Sequence, residues 1–157
     1  MQFVGDASDL SAIIDDSYEF LLSSNCLEHV TNPIKALSEW KRVINRGGTL
    51  ILVLSNNASN FDHRRPTTPL AHLIADFENN TSEHDLTHLD EIRSLDPPAG
   101  TFQQFKEHRL DNFHNRTLHH HVFDRQLMQD LLSYAGLDVI ETTATQSDFF
   151  ALARKPT

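Results

Sequence analysis

The stretch "SYEFLLSSNCLEHVTNPIKALSEWKRVINRGGTLILVLSN", residues 17–56, places a helical pattern between two apolar runs. Phe20-Leu21-Leu22 lies in the first run, which reads as a strand over Tyr18–Ser23. Its continuous apolar character suits a strand covered on both faces. Asn32-Pro33 then supplies a helix start, a capping side chain followed by proline at the first helical position. Ile34, Leu37, Trp40 and Ile44 recur at helical spacing. Lys41, Arg42 and Arg46 stand near the C-terminal end, where the helix dipole favours cations. Gly47-Gly48 is expected to stop the helix in a tight turn. Thr49–Leu54 is the second run. Strand, helix and strand in this order make a βαβ unit, so the two strands should be parallel neighbours.

Outward from this unit, residues 2–4 read as a short strand ending at Gly5-Asp6. Leu10, Ile13 and Ile14 suggest a short helix, and Asp15-Asp16-Ser17 a turn. Residues 56–121 are polar, rich in histidine and punctuated by phenylalanine. Helices are expected there near 68–78, 84–95 and 101–112, with a break at 96–100. The apolar content is too thin for a separate core, so 56–121 reads as a helical cap inserted within one domain, 1–157. Beyond it, Asp124 should cap a helix that buries Leu127, Met128, Leu131, Leu132 and Ala135, and Gly136 should end it. Strands are expected over 137–141 and 149–153. The short polar link Thr142–Asp148 favours a hairpin.

Composition narrows the function classes. The net charge of −9 opposes broad contact with nucleic-acid phosphates, which needs clustered Lys and Arg. No run reaches the ~18 apolar residues of a membrane span. The N-terminus lacks the basic and apolar segments of a signal peptide. A single cysteine, Cys26, fits a reducing cytoplasm. The ten histidines are many for 157 residues. They could soften the negative charge below about pH 6.5.

The runs "GDASDL", "SSNCLEHV", "NPIKALSEWKRVI", "GGTLILVLSN" and "LLSYAGLDVIE" together resemble class I S-adenosylmethionine (SAM)-dependent methyltransferases, in the group with a "LEHV" loop and a "GG" turn. "FDHRRPTTPLAHLIADF", "HDLTHLDEI" and "LHHHVFD" resemble a subgroup with a helical insert after the fifth strand. The resemblance implies an α/β, Rossmann-like sheet of order 3-2-1-4-5-7-6 with an antiparallel last strand. Residues 2–4, 18–23, 49–54, 137–141 and 149–153 correspond to its strands three to seven. Strands one and two have no counterpart, nor has the Gly-rich loop or the acid that holds the cofactor ribose. The chain thus resembles the C-terminal two-thirds of such a domain. The edge of strand four should be bare, a template for pairing with a second copy or a companion chain.

The implied cofactor is S-adenosyl-L-methionine. The resemblance places Asp6 at the adenine amino group and Ala7 beside the ring. Ser23, Ser24 and Asn25 leave strand four at its C-terminal end, where open α/β sheets bind ligands, and His29 follows on the rim. His29 reads either as a proton acceptor or as a packed histidine bonded to backbone. Cys26 has nothing basic beside it to activate the thiol and reads as a small filler. Asp62, His63, Arg64 and Arg65 could bind an anionic or hydroxyl-rich acceptor, or form internal salt bridges. For a hydroxyl acceptor the general base would be His63 or a member of His119–His121, with His120 the choice within that cluster. His119 is expected at the acceptor. His84 and His88 have metal-ligand spacing on an expected helix, but "DLT" between them lacks the glutamate of a zinc-protease motif, and no metal is expected.

Three functions follow. One is SAM-dependent methyl transfer to a small-molecule or glycan-like acceptor, weakened or partner-dependent without the ribose-binding half. The second is a non-catalytic interaction module, or one half of a split enzyme. The third and least favoured is a metal-binding protein that uses the histidines. None involves nucleic acid or a membrane.

Overall fold

The computed structural model of the chain describes residues 5–95, 107, 111, 115 and 117–157. The strand expected over 2–4 and the break at 96–100 lie outside these residues, as does nearly all of the helix expected over 101–112. Among the described residues no helix is long and apolar enough to cross a membrane.

The βαβ unit forms as its pattern requires. Strand β1 is Tyr18–Ser24, helix α1 is Pro33–Val43 and strand β2 is Ile44–Ser55. Asn32 caps α1 by accepting the Lys35 backbone N–H at 3.0 Å, and Pro33 opens the helix. The end of α1 differs from expectation. Ile44 is already extended and forms the C-cap, so β2 begins before the paired glycines, not after them. Gly47 adopts φ +74, which favours glycine. Gly48 is needed for space: a Cβ there would lie 2.7 Å from the Glu19 carbonyl oxygen and 2.8 Å from that of Asn45. This close approach falls where the β1–β2 register shifts, between Tyr18 and Phe20.

β1 and β2 pair in parallel, Leu21 beside Leu50 and Ser23 beside Leu52. Helix α2 (Leu70–Glu78) and the short α3 (Leu89–Leu95) belong to the 56–121 segment. Helix α4 (Arg125–Tyr134) is capped by Asp124, which accepts the Leu127 N–H at 2.7 Å. Strands β3 (Asp138–Ala144) and β4 (Asp148–Arg154) form the expected antiparallel hairpin. β4 inserts antiparallel beside β2, giving the order β1-β2-β4-β3. Parallel β1–β2 with an antiparallel hairpin is the arrangement implied for the family's strands four to seven.

Leu50, Leu52 and Leu54 of β2, with Phe149, Ala151 and Ala153 of β4, face α1, α2 and α4 and form one core with Leu37, Trp40, Leu73, Met128 and Leu131. A smaller cluster, Leu89, Ile92 and Leu118, sits under α3. Among the described residues no helix covers the opposite sheet face. Phe20 is 63% exposed and Leu22 60%. The expectation that β1 is covered on both faces is therefore corrected: among the described residues, its Leu21–Ser23 side alone faces the core.

Residues 10–14 form turns, not the expected helix. Side chains on α1 hold this segment. The Glu39 carboxylate accepts the Leu10 N–H, and the Trp40 indole donates to the Ala7 carbonyl. Arg42 donates to the carbonyls of Leu10 and Ile13 and pairs with Asp15. Donation to Glu39 and Asp15 holds the Arg42 guanidinium above its ordinary range. Tertiary bonds thus fix the chain where Leu10, Ile13 and Ile14 suggested helix.

Candidate functional site

The C-terminal end of β1 opens into a cleft of about 270 Å³ lined by Gly5, Asp6, Ala7, Asn25, Cys26, His29 and Val30. It forms because β1 stops at Ser24 and Asn25 takes a left-handed φ of +48, turning the chain across the strand ends. Asn25 is anchored from both sides: its N–H donates to the Val53 carbonyl, and its side-chain amide donates to Ser55 Oγ at 2.8 Å. The short 3-10 turn Leu27–His29 follows. Glu28, 2% exposed, points inward and accepts the Ser55 N–H at 2.7 Å. This buried carboxylate ties the end of β2 to the loop. The sequence reading gave it no role, though its place in "LEHV" was the available signal.

Asp6 and Ala7, from the segment pinned to α1, close the other side of the cleft. Asp6 Oδ1 accepts from both the backbone N–H and the hydroxyl of Ser8, each at 2.7 Å, which fixes the turn and the carboxylate together. Of the six residues expected at the cofactor, Asp6, Ala7, Asn25 and His29 line this cleft. Ser23 is buried on the core side, and its hydroxyl has no hydrogen-bond partner among the described residues. Ser24 is exposed and donates to Asn25 Oδ1.

Among the described residues His29 is bonded on one nitrogen: Nδ1 contacts the Leu118 carbonyl at 3.2 Å. A carbonyl only accepts, so Nδ1 carries the proton and Nε2 the lone pair. Burial pushes the imidazole below its ordinary range, with the neighbouring His119 acting in the same direction. The rings of His29 and His119 meet edge to face, 4.5 Å between centroids.

Behind His29 runs a buried polar chain. His119 Nδ1 lies 2.6 Å from Asp62 Oδ2. Arg65 donates to Asp62 Oδ1 at 2.7 Å and to the His119 carbonyl at 2.9 Å, and reaches Glu91 at 3.4 Å. Burial opposes ionisation of Asp62, but the bonds from His119 and Arg65 outweigh it and hold the carboxyl below its usual range. Arg65 is 5% exposed. Of the two readings open for "FDHRRP", internal ion pairing describes where Arg65 and Asp62 stand. His63 and Arg64 are exposed on the surface, with His63 Nδ1 on the Asn60 carbonyl. His120 is buried at 1% exposure, its backbone N–H donating to the Glu28 carbonyl. The structure therefore separates exposed His63 from buried His120 and sets His119 directly against His29, with Asp62 and Arg65 behind it.

A second histidine cluster lies on the cap side. His72 on α2, His88 just before α3 and His121 each bring a ring nitrogen within 4.8 Å of the others. His84 is not among them. Residues 84–88 are turns, so the expected helical spacing of His84 and His88 does not arise.

A parallel-plus-hairpin sheet with helices on its core face and a cleft at the strand ends defines a nucleotide-cofactor type of α/β fold. Residues 1–52 match the family model described as a methyltransferase domain. Solved structures share the fold: a SAM-dependent methyltransferase of Methanosarcina mazei (18% identity, TM-score 0.54, 98% of this chain and 66% of that one) and one of Thermotoga maritima (17%, 0.54, 96% and 62%). An O-methyltransferase family protein of Burkholderia thailandensis is similar too (14%, 0.53, 99% and 35%). The chain thus spans less than two thirds of the length of each. No curated protein matches the sequence. The chain has the fold of SAM-dependent methyltransferases and matches a methyltransferase-domain model over residues 1–52, a fold and a match that imply S-adenosyl-L-methionine as the cofactor.

Of that cofactor, the residues present fit one end. Ala7, Cys26 and Val30 offer apolar surface for a flat ring, and Asp6 offers a carboxylate at its edge. The cleft volume is at the small end of the ~300–1,000 Å³ typical of ligand pockets, enough for a nucleoside but not for the whole cofactor.

Proposed function

We propose that this chain carries the adenine-binding and acceptor-facing part of a SAM-dependent methyl-transfer site, acting on a small hydroxyl-bearing acceptor. The cleft at the end of β1, with Asp6 held in place by Ser8, carries the reading. Asp6 would accept the adenine amino N–H, while Ala7 and Val30 contact the ring. SAM supplies an activated methyl group on a sulfonium, so the protein's work is alignment and, for a hydroxyl acceptor, removal of one proton. His29 has the required form. Its Nδ1–H is committed to Leu118, its Nε2 holds the lone pair, and burial keeps it neutral near pH 7.

Calorimetric titration of the 157-residue chain with SAM and with S-adenosylhomocysteine tests this reading. Binding is expected, and Asp6→Asn should weaken it about tenfold, the loss of one hydrogen bond to a charged acceptor. No heat with either ligand, or unchanged affinity in Asp6→Asn, would remove the cleft as the cofactor site. His29→Gln should leave binding within a few-fold while lowering turnover of a hydroxyl acceptor by about 10²–10⁴.

The exposed Tyr18, Phe20 and Leu22 of β1 favour a second, compatible reading. The strand pairs only with β2 among the described residues, and its other edge would take one added strand from a second chain, completing the ribose side of the site. Sedimentation of the wild type and of the Phe20→Lys/Leu22→Lys double variant measures this. Self-association that the double variant abolishes supports it, and a monomer in both rules out a second copy of this chain as the partner.

A further inference from the structure

The cluster on the cap side serves no part of the proposed methyl transfer. His72 and Asp76 stand four apart on α2 and project from the same face. His72 Nε2 lies 3.2 Å from His88 Nε2 and 3.4 Å from Asp76 Oδ2. Asp76 Oδ2 lies 3.6 Å from His121 Nε2. Two nitrogens bound to one tetrahedral zinc at about 2.0–2.1 Å each sit about 3.3 Å apart. The His72–His88 separation already matches this. A ring nitrogen of His121 lies within 4.8 Å of the other two.

The outer contacts are those that orient metal ligands. His88 Nδ1 faces Glu91 Oε2 at 3.4 Å, which turns Nε2 toward His72. Asp76 Oδ1 accepts from the Thr81 hydroxyl at 3.1 Å, which turns Oδ2 inward. His121 donates from Nε2 to the Thr31 carbonyl at 3.1 Å. A histidine ligand characteristically gives its second N–H to a carboxylate or carbonyl in this way. The donation leaves Nδ1 of His121 with a lone pair, and this atom is buried with no hydrogen-bond partner among the described residues. An unsatisfied buried acceptor is costly, and a cation would supply the missing partner. His121 is 1% exposed, enclosed beside His72 and His88. His72 is partly exposed and lines, with His88, Glu91 and Arg65, a small cleft of about 80 Å³ that gives an entry path.

We propose that His72, His88 and His121 form a binding site for one divalent transition-metal ion, with Asp76 beside them as an outer carboxylate and zinc the best match to three imidazoles with one open position. The site joins three separated stretches: α2, the loop before α3, and the segment that carries His119–His121. A bound ion would fix the cap on the core. It would also hold Glu91 and, through Arg65 and Asp62, the His119 ring against His29.

The test is zinc titration of the full chain after dialysis against a chelator, read by competition with a chromophoric chelator. One equivalent per chain is expected. His72→Ala and His88→Ala should each weaken it by about a hundredfold or more, at least the upper range seen for outer-shell partners. His84→Ala, outside the cluster, should bind as the wild type. Far-UV circular dichroism checks that each variant is folded. Cobalt(II) in the wild type gives a reading that needs no variant, an intense visible absorption of the tetrahedral kind. Failure of stoichiometric uptake would overturn the proposal. So would zinc binding that survives both substitutions or is lost equally in His84→Ala, or a weak octahedral cobalt spectrum.

Discussion

The two faces of the four-stranded sheet are built from similar residues and meet different surroundings. On the core face, Leu21, Leu50, Leu52, Leu54, Phe149, Ala151 and Ala153 pack beneath α1, α2 and α4. On the other, the paired positions Leu22 and Ile51, Val53 and Phe150, and Ile51 and Leu152 present a second apolar set. Leu22 is 60% exposed, Phe20 63% and Ile140 52%. Composition alone does not tell these faces apart. What distinguishes them is the two helices, α1 and α4, whose connections place them on one side of the sheet. Among the described residues, the core face is therefore the one whose burial stabilises the fold, and the other has no helix over it.

Substitution across the two faces gives the largest effect. Leu50→Ala removes a side chain with 0% exposure from the centre of the core and should cost about 2–5 kcal/mol in denaturant unfolding. Leu22→Ala, one register step away on the neighbouring strand, should cost less than about 1 kcal/mol. Equal losses would mean that the open face is covered in solution.

The next effect tests how closely β1 and β2 approach. Gly48→Ala puts a methyl group against two backbone carbonyl oxygens that cannot swing aside. An overpacking cost of about 1–3 kcal/mol is expected. A neutral result would mean that β1 leaves β2 freely near Tyr18, where the register already shifts. Smaller still, Asp124→Ala removes the cap of α4 and should cost about 1 kcal/mol, read from the same unfolding curves.

Much of the covered half was legible in the sequence because local chemistry specified it. Asn32-Pro33, Asp124 and Gly136 mark helix ends by mechanisms that act within a few residues, and the apolar runs at 20–22 and 49–54 could only be strands. The misreadings share a cause. Leu10, Ile13 and Ile14 have helical spacing, yet Arg42 and Glu39, some thirty residues on, take their backbone groups. His84 and His88 have ligand spacing only if a helix carries them, and none does. The spacing that matters was in "HLIAD", where His72 and Asp76 do lie on a helix, but its partners His88 and His121 are brought in by the tertiary fold. Likewise, nothing local in "FDHRRP" says that Arg65 turns inward to Asp62 while Arg64 stays out.

The smallest effect concerns pH. His29 is pushed below its ordinary range mainly by burial and further by His119, while Glu28, the Leu118 carbonyl and Asp62 pull the other way. The unfolded chain should titrate this residue near pH 6.5. As pH falls through that value, the unfolded state takes up the proton first, so stability declines until the folded-state group titrates in turn. Above about pH 7 both states hold neutral imidazole and the contribution vanishes. His29→Gln should therefore flatten the fall in unfolding free energy between about pH 7 and 5 relative to wild type. An unchanged slope would mean that His29 reaches water when the cleft is empty, and the neutral acceptor proposed for methyl transfer would then need the bound ligand to create it.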